Sequence, residues 1–455
     1  MSGSRAEVSG TVKIPLRNCN EMEGDMLKLT CFPDGTPIDP WFSDTAGEWS
    51  EGSGSCFRIQ DYGIRADATI QTGKLQALID SVSGQGGGTI VIPEGTYLTG
   101  ALYLKQGVHL RLERGGILKG SDDIRDYPLC ETRIEGENCL YFPALINAIG
   151  LDGVSVTGEG TIDGNGMRFW EQFWLRRAWN PGCTNKDEQR PRLFFASHCT
   201  NVLLAGVTFQ NSPFWTTHVY KCRFVKYIGC RMLSPHAPVG GPSMDAIDID
   251  ACSDVLVRNC YMAVNDDAVA LKGGKGPWAD AAPENGTNER IIIEDCEYGF
   301  CHGCLTFGSE NVHSRNIIMR NIKVSTGYNF LWFKLRPDTP QCYEHVLVQN
   351  IEGKTANFLN INPWTQFFDI KGRTDMPVSR CGNITVRGCR FECDTYFNVK
   401  ADEAHYHLHD IALEDIEITA ADISCDTSAV ENLAVRDVRL SKKEGIEYPD
   451  SVTTI

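Results

Sequence analysis

The feature that most constrains this chain is a register that repeats from coil to coil. From Thr89 onward the apolar residues recur with period two, in Thr89–Ile92, Tyr97–Tyr103, Val108–Leu112 and Val154–Ile162, the pattern of short half-buried strands. The segments Asn201-Val202-Leu203-Leu204, Asp254-Val255-Leu256-Val257, Arg290-Ile291-Ile292-Ile293, His345-Val346-Leu347-Val348 and Asn383-Ile384-Thr385-Val386 each open a similar unit. Cys222 to Cys252 and Cys230 to Cys260 are separated by the same number of residues, so two coils match at two positions. Repeats of roughly 20 to 36 residues with no helix between strands suit an all-β, right-handed parallel β-helix, a solenoid in which each coil contacts only its neighbours. The pattern suits this fold better than a βαβ barrel or a propeller; the alternative, an antiparallel sandwich, also gives many short strands but no coil-by-coil register.

Ahead of the repeats, residues 1–56 are irregular, with Pro33, Pro37 and Pro40, and read as a segment that wraps a later surface. Residues 57–455 form the solenoid domain. It begins with a strand at Phe57–Tyr62 and a helix whose Leu75, Leu78, Ile79 and Val82 share one face. Gly84 and Gly86–Gly88 end that helix, which is expected to cap the open end of the β-helix.

Composition removes several function classes. A net charge of −16 argues against nucleic acid, which needs a basic footprint. No apolar run approaches a membrane span. The 19 cysteines are too many and too spread for a disulfide scaffold, and Cys260, Cys296 and Cys389 share one turn context, as stacked core thiols would. Met1 to Asn20 carries Arg5, Glu7, Lys13 and Arg17 and no apolar h-region, so a cytoplasmic protein with reduced thiols is expected, or a secreted or periplasmic one if the sequence has been trimmed.

Aligning the coils on their inward apolar pairs gathers the acids. Ile247 and Ile249 match Val269 and Leu271, which puts Asp245 in register with Asp267. Leu305 and Phe307 extend the alignment and set His302 on Asp266 and Gly303 on Asp267. Neighbouring rungs lie about 4.8 Å apart, so three carboxylates and an imidazole converge, with the glycine expected to leave open space beside Asp267. Strict alternation would send Asp266 and Asp267 to opposite faces, so the strand must bend there. Three carboxylates this close cannot all ionise easily, and a raised acid beside ionised carboxylates is what glycoside hydrolysis requires.

These segments carry a family resemblance. Ser243-Met244-Asp245, Asn265-Asp266-Asp267, Cys301-His302-Gly303 and Phe333-Lys334 resemble the four ordered signatures of the polygalacturonases, glycoside hydrolase family 28, of the bacterial exo-acting type. The usual forms are Asn-Thr-Asp, Gly/Gln-Asp-Asp, Gly-His-Gly and Arg-Ile-Lys. The likeness extends to Asp61-Tyr62-Gly63, to Gly86–Pro93 and to Gly160-Thr161-Ile162-Asp163-Gly164, and so spans roughly residues 57 to 400. It implies an inverting hydrolase of galacturonate linkages in pectic material, with Asp266 as general acid, Asp245 and Asp267 holding the attacking water, and His302 supporting them. Inversion implies a gap of about 6.5–9.5 Å between acid and base. No metal and no cofactor are implied.

Trp332 stands where the family has Arg, leaving Lys334 as the matched cation for a substrate carboxylate, with Arg336 as a possible substitute. A neutral sugar such as rhamnose then becomes a plausible neighbour of the cleaved bond, with Trp332 offering it an apolar face. The insertion Met167–Arg192 sets Arg168, Arg176, Arg177, Lys186, Arg190 and Arg192 among Trp170, Trp174 and Trp179, either as a sugar-acid subsite or as a folded surface loop. A second insertion, Lys272–Glu289, carries Lys272, Lys275 and Trp278 and would wall one end of the cleft, favouring exo action on pectic oligosaccharides. Cys301-His302-Gly303-Cys304 lacks a second ligand pair for zinc, and Gly273-Gly274-Lys275-Gly276 lacks the strand–helix setting of a phosphate loop. The rival readings are a Ca²⁺-dependent pectate lyase on the same solenoid and a non-catalytic sugar-binding solenoid.

Overall fold

The computed structural model describes residues 29–44, 54–235 and 238–443, so the reading of Met1–Asn20 lies outside the described residues. Each coil runs through three short parallel strands. One face stacks Val108–Leu112, Asp152–Gly158, Thr200–Ala205, Arg223–Ile228, Ser253–Arg258 and Thr287–Glu294. A second stacks Gly116–Gly120, Thr161–Asp163, Thr208–Gln210, Arg231–Leu233 and Tyr261–Ala263. The third, which carries the acids, stacks Ile146–Ile149, Phe194–Ser197, Thr217–Tyr220, Ile247–Asp250, Val269–Lys272, Gly303–Phe307 and Asn329–Leu335. The fold is a right-handed parallel β-helix.

The repeated quartets mark corners. Asn201, Asp254, Arg290, His345 and Asn383, the first residue of each, have φ of 53°, 57°, 54°, 59° and 52°. Asn, Asp and His tolerate this left-handed region; Arg pays for it in strain and is held by the ladder on either side. Arg290 is held further by its ion pair to Asp254, 2.7 Å. Inside the coils the thiols stack as expected: the Cys222 N–H donates to Cys252 Sγ at 3.2 Å, and the Cys260 N–H to Cys296 Sγ at 3.4 Å. Every described cysteine is a free thiol.

Helix α1, Thr72–Gly84, buries Leu75, Leu78, Ile79 and Val82 over the first coils. The expected Phe57–Tyr62 strand stops at Arg58 and becomes a 3₁₀ turn over Ile59–Tyr62. Tyr97–Tyr103 is broken by a corner at Gly100, where a Cβ would lie 2.4 Å from the Asp126 carbonyl oxygen. Ahead of the solenoid, residues 29–44 pack on its first face. Phe32 and Phe42 pack against Ala205, Ile228, Leu256, Ile292, Ile318 and Leu347, one residue from each of six consecutive coils. Arg258 donates to the Phe42 carbonyl oxygen at 2.5 Å and Asn316 to Asp34 at 2.8 Å.

Two elements escaped the sequence reading. Met167–Trp179 is a helix, α2, with Phe169, Trp170 and Phe173 buried. Cys130–Ile134 and Glu137–Tyr141 form an antiparallel hairpin that leaves the solenoid altogether.

Candidate active site

The register on the third face is the one the apolar pairs imply: Ile247 faces Val269, and Val269 faces Leu305. The Ala246 N–H donates to the Asp267 carbonyl oxygen and the His302 N–H to that of Asp266, both at 2.9 Å, which seats Asp245 beside Asp267 and His302 on Asp266. Asp266 and Asp267 lie in a bend between Ala263 and Val269 rather than on a strand, so alternation does not separate them. The Asp267 N–H turns back to Asp266 Oδ1 at 3.0 Å and fixes that bend. An oxygen from each of Asp245, Asp266 and Asp267 lies within 4.8 Å of the others.

Gly303 does not leave open space. A Cβ there would stand 2.6 Å from Asp267 Oδ1 and 2.0 Å from Thr306 Oγ1, so the missing side chain is what lets the carboxylate reach its place. Gly303→Ala is expected to lower kcat at least tenfold by displacing Asp267, with the circular dichroism of the coil unchanged; wild-type kcat in the folded variant would count against the placement.

The electrostatics divide the acids. Asp245 and Asp267 are buried, 3 % and 1 % exposed. Asp266, with 27 % of its side chain exposed, opens to solvent beside His302. Burial, then the charge of Asp267, pushes Asp266 up to about 7. Burial, then the charge of Asp266, does the same to Asp245. Asp267 has a counter-ion in Lys334, Nζ to Oδ2 3.0 Å. The His302 imidazole, 3.7 Å from Asp266, is kept neutral over a wider range because burial lowers its basicity.

The expected substrate cations are otherwise engaged. Lys334 is 7 % exposed and bracketed by the rings of Trp332 and Trp364, 4.0 and 5.0 Å from their centroids. Arg336 is corrected outright: both arms bind Asp338 at 2.7 Å, and it also donates to the Gln366 carbonyl oxygen. Lys272 is buried among Asp245, Asp248 and Glu310, at 3.3, 3.6 and 3.5 Å. The cations of the Met167–Arg192 patch other than the exposed Arg168 are architectural. Arg190 and Arg192 are fully buried and donate to backbone oxygens of Pro242 and Arg133, Arg176 pairs with Glu188, and Lys186 with Glu137.

Asp248 and Glu310 were missed. Asp248 is fully buried, neither of its oxygens has a hydrogen-bond partner, and burial followed by the charge of Asp245 raises it well above the carboxylate range. Its signal was present in Ile247-Asp248-Ile249-Asp250, where the apolar residues face in and the acids face out. Three carboxylates within 4.8 Å have a spacing that a divalent cation could also use, although Lys272 and Lys334 already balance them.

The hairpin packs on the third face, on the N-terminal side of the acids. Arg133 pairs with Asp250 at 3.0 Å, lies 4.7 Å over the Tyr220 ring and donates to Asn285 at 2.9 Å. Ile134 and Tyr141 pack on Phe214 and Trp215. At the hairpin tip, a Cβ on Gly136 would meet the Gly274 carbonyl carbon at 3.0 Å and Lys275 Cβ at 3.1 Å, so the hairpin reaches the second insertion. Arg373, from the loop after Trp364, lies 4.4 Å over Trp278 and pairs with Asp280 of that insertion at 3.5 Å.

Fold and site together define a parallel β-solenoid with a cluster of carboxyls on its third face. The sequence model of glycosyl hydrolases family 28 matches residues 89–432, and the chain belongs to that family. Among curated relatives, a probable polygalacturonase of Vitis vinifera is 29% identical over 226 residues, 48% of this chain and 44% of that protein, so the chain spans less than half its length. An exopolygalacturonase of Platanus acerifolia is 23% identical over 298 residues, 64% of this chain and 70% of that protein. Of solved structures, a hyperthermoactive exopolygalacturonase from Thermotoga maritima superposes with a TM-score of 0.69 at 23% identity, covering 85% of this chain and 92% of the other. That likeness supports the fold.

Proposed function

We propose that the chain hydrolyses galacturonate linkages of pectic oligosaccharides from a chain end, releasing galacturonic acid. One observation carries the chemistry: a solvent-facing acid raised to about 7 stands directly in front of two buried carboxyls. Asp266 gives its proton to the leaving oxygen, Asp245 and Asp267 hold the attacking water, and Asp267, paired with Lys334, accepts its proton. The 4.8 Å spacing is narrower than the gap of about 6.5–9.5 Å that inversion implies, and by the usual spacing rule it would suit a covalent nucleophile. Burial favours inversion all the same: Asp245 and Asp267 are 3 % and 1 % exposed while Asp266 opens to solvent, which supports action of the buried pair through a water molecule.

The hairpin supports exo action, because a polymer cannot continue past Arg133 and Tyr220. A lyase base is disfavoured, since Lys272 and Lys334 both sit in ion pairs. The stacked free thiols support a reducing, cytoplasmic setting in which substrates would be short.

With pectic oligosaccharides, free galacturonic acid is the expected earliest product, as the β anomer by proton NMR, with little viscosity loss on polymeric pectate. Mixed di- and trisaccharides from polymer would overturn exo action. A prompt α anomer would overturn inversion, and an unsaturated product absorbing in the ultraviolet would overturn hydrolysis.

A further inference from the structure

On the open side of the carboxyl cluster the groove floor changes character. The outward column Thr306–Trp332–Asn360–Asn398 runs beside Lys334–Asn362. Five asparagines there form one amide network. Asn357 and Asn360 donate to Asn329 Oδ1 at 3.0 and 2.6 Å, Asn398 and Asn362 donate to Asn360 Oδ1, and Asn329 donates to the His302 carbonyl oxygen at 3.3 Å. The network therefore begins at the catalytic histidine and runs away along the groove. Trp332 and Trp364 meet edge to face at 5.5 Å beside it, and both are half-buried, as are Asn357, Asn362 and Asn398.

Among the described residues of these floor strands, the two cations beside Trp332 are both engaged. Lys334 is spent on Asp267 and covered by the two indoles, and Arg336 is spent on Asp338. On the stacked floor strands the exposed Lys400 follows Asn362 on the next coil, and Lys371 lies exposed in the loop after Trp364. A carboxylate over Trp332 would sit close to Asp267 and Asp266 with only neutral amides to replace its water, a like-charge juxtaposition that discriminates strongly between ligands. Amides both donate and accept, which matches sugar hydroxyls, and indole rings match the C–H face of a sugar.

We infer that the subsite over Trp332, next to the cleaved bond, is built for a neutral sugar, with Asn357, Asn360, Asn362 and Asn398 as its specificity-determining floor. The exposed Lys400, two coils on from Lys334, then places the next acidic sugar one unit further, so the recognised chain alternates acid with neutral. This deepens the hydrolase reading and rests on it only for where the cut falls.

Binding tests it without turnover. The Asp266→Asn protein is titrated in a calorimeter with two tetrasaccharides that carry galacturonate at the non-reducing end, one alternating with rhamnose and one all galacturonate. The alternating ligand is expected to bind at least tenfold tighter. Trp332→Arg, made in the same background, is expected to erase or reverse that preference by supplying a cation. Equal or tighter binding of the all-acid ligand overturns the neutral subsite, as does a preference that Trp332→Arg leaves unmoved. If the preference holds while the Asp266-containing enzyme cleaves neither ligand, the subsite stands and the hydrolase reading falls.

Discussion

Asp266→Asn is expected to lower kcat by about 10²–10⁴ or more while raising thermal stability at alkaline pH. The first effect follows from losing the only cleft-facing proton donor of the cluster, since general acid catalysis alone is worth about that much. The second follows from linkage. The folded carboxyl is raised to about 7 from an ordinary 3.8, so folding binds a proton there. Its contribution to stability is fully present below about pH 4 and is lost as pH rises through 7. An amide has nothing to lose, so the variant should melt higher than wild type at pH 8, with the difference vanishing near pH 4. The same titration predicts that wild-type kcat/KM falls above about pH 7. Melting curves across pH, taken beside single-turnover rates, check all three. Near-normal kcat in the folded variant would remove Asp266 from the chemistry, and an unchanged pH profile of stability would remove the raised carboxyl.

Lys334→Ala is expected to be the most destabilising single change in the site. Asp267 is 1 % exposed, and its Oδ1 already lacks a hydrogen-bond partner, so taking away the ammonium at 3.0 Å strands a buried charge. Breaking a buried pair in this way costs about 3–5 kcal/mol. The two tryptophans also lose the cation between their rings, a further contribution of about 0.5–2 kcal/mol. The melting temperature should fall clearly at pH 7. Activity should fall as well, because Asp267 no longer has a fixed orientation. A variant as stable as wild type would show that Lys334 faces solvent or substrate instead.

The coil register was legible in the sequence because a stacked ladder imposes one offset on every residue of a strand. Once Ile247 matched Val269, Asp245 and Asp267 had to be neighbours. The bend at Asn265–Asp266 was legible only as a requirement. What a cation touches was not legible at all. Lys334 and Arg336 read alike in sequence, yet one serves a catalytic carboxylate and the other serves Asp338. The Arg190 and Arg192 side chains looked like a surface patch because nothing local says that a hairpin sixty residues earlier will bury them. Asp248 was hidden for a different reason: in Ile-Asp-Ile-Asp the isoleucines were used to set the register, and the acids between them were left unread.

The N-terminal strap has a consequence for how the molecule comes apart. A solenoid whose coils touch only their neighbours can fray from an end or open in the middle, one unit at a time. Here Phe32 and Phe42 lie across residues from six coils, with Arg258 and Asn316 tying the strap at two separate levels. Opening any of these coils first requires lifting the strap from all of them. The central coils, which include those bearing Asp245, Asp266 and His302, are thereby bound into one cooperative block, while the ladder beyond Ser379 keeps its freedom to unzip. Amide exchange should then divide the molecule at that boundary. Proteolytic nicking near residue 44 would turn one sharp transition into a sequence of small ones and uncover an apolar stripe ready to pair with another copy.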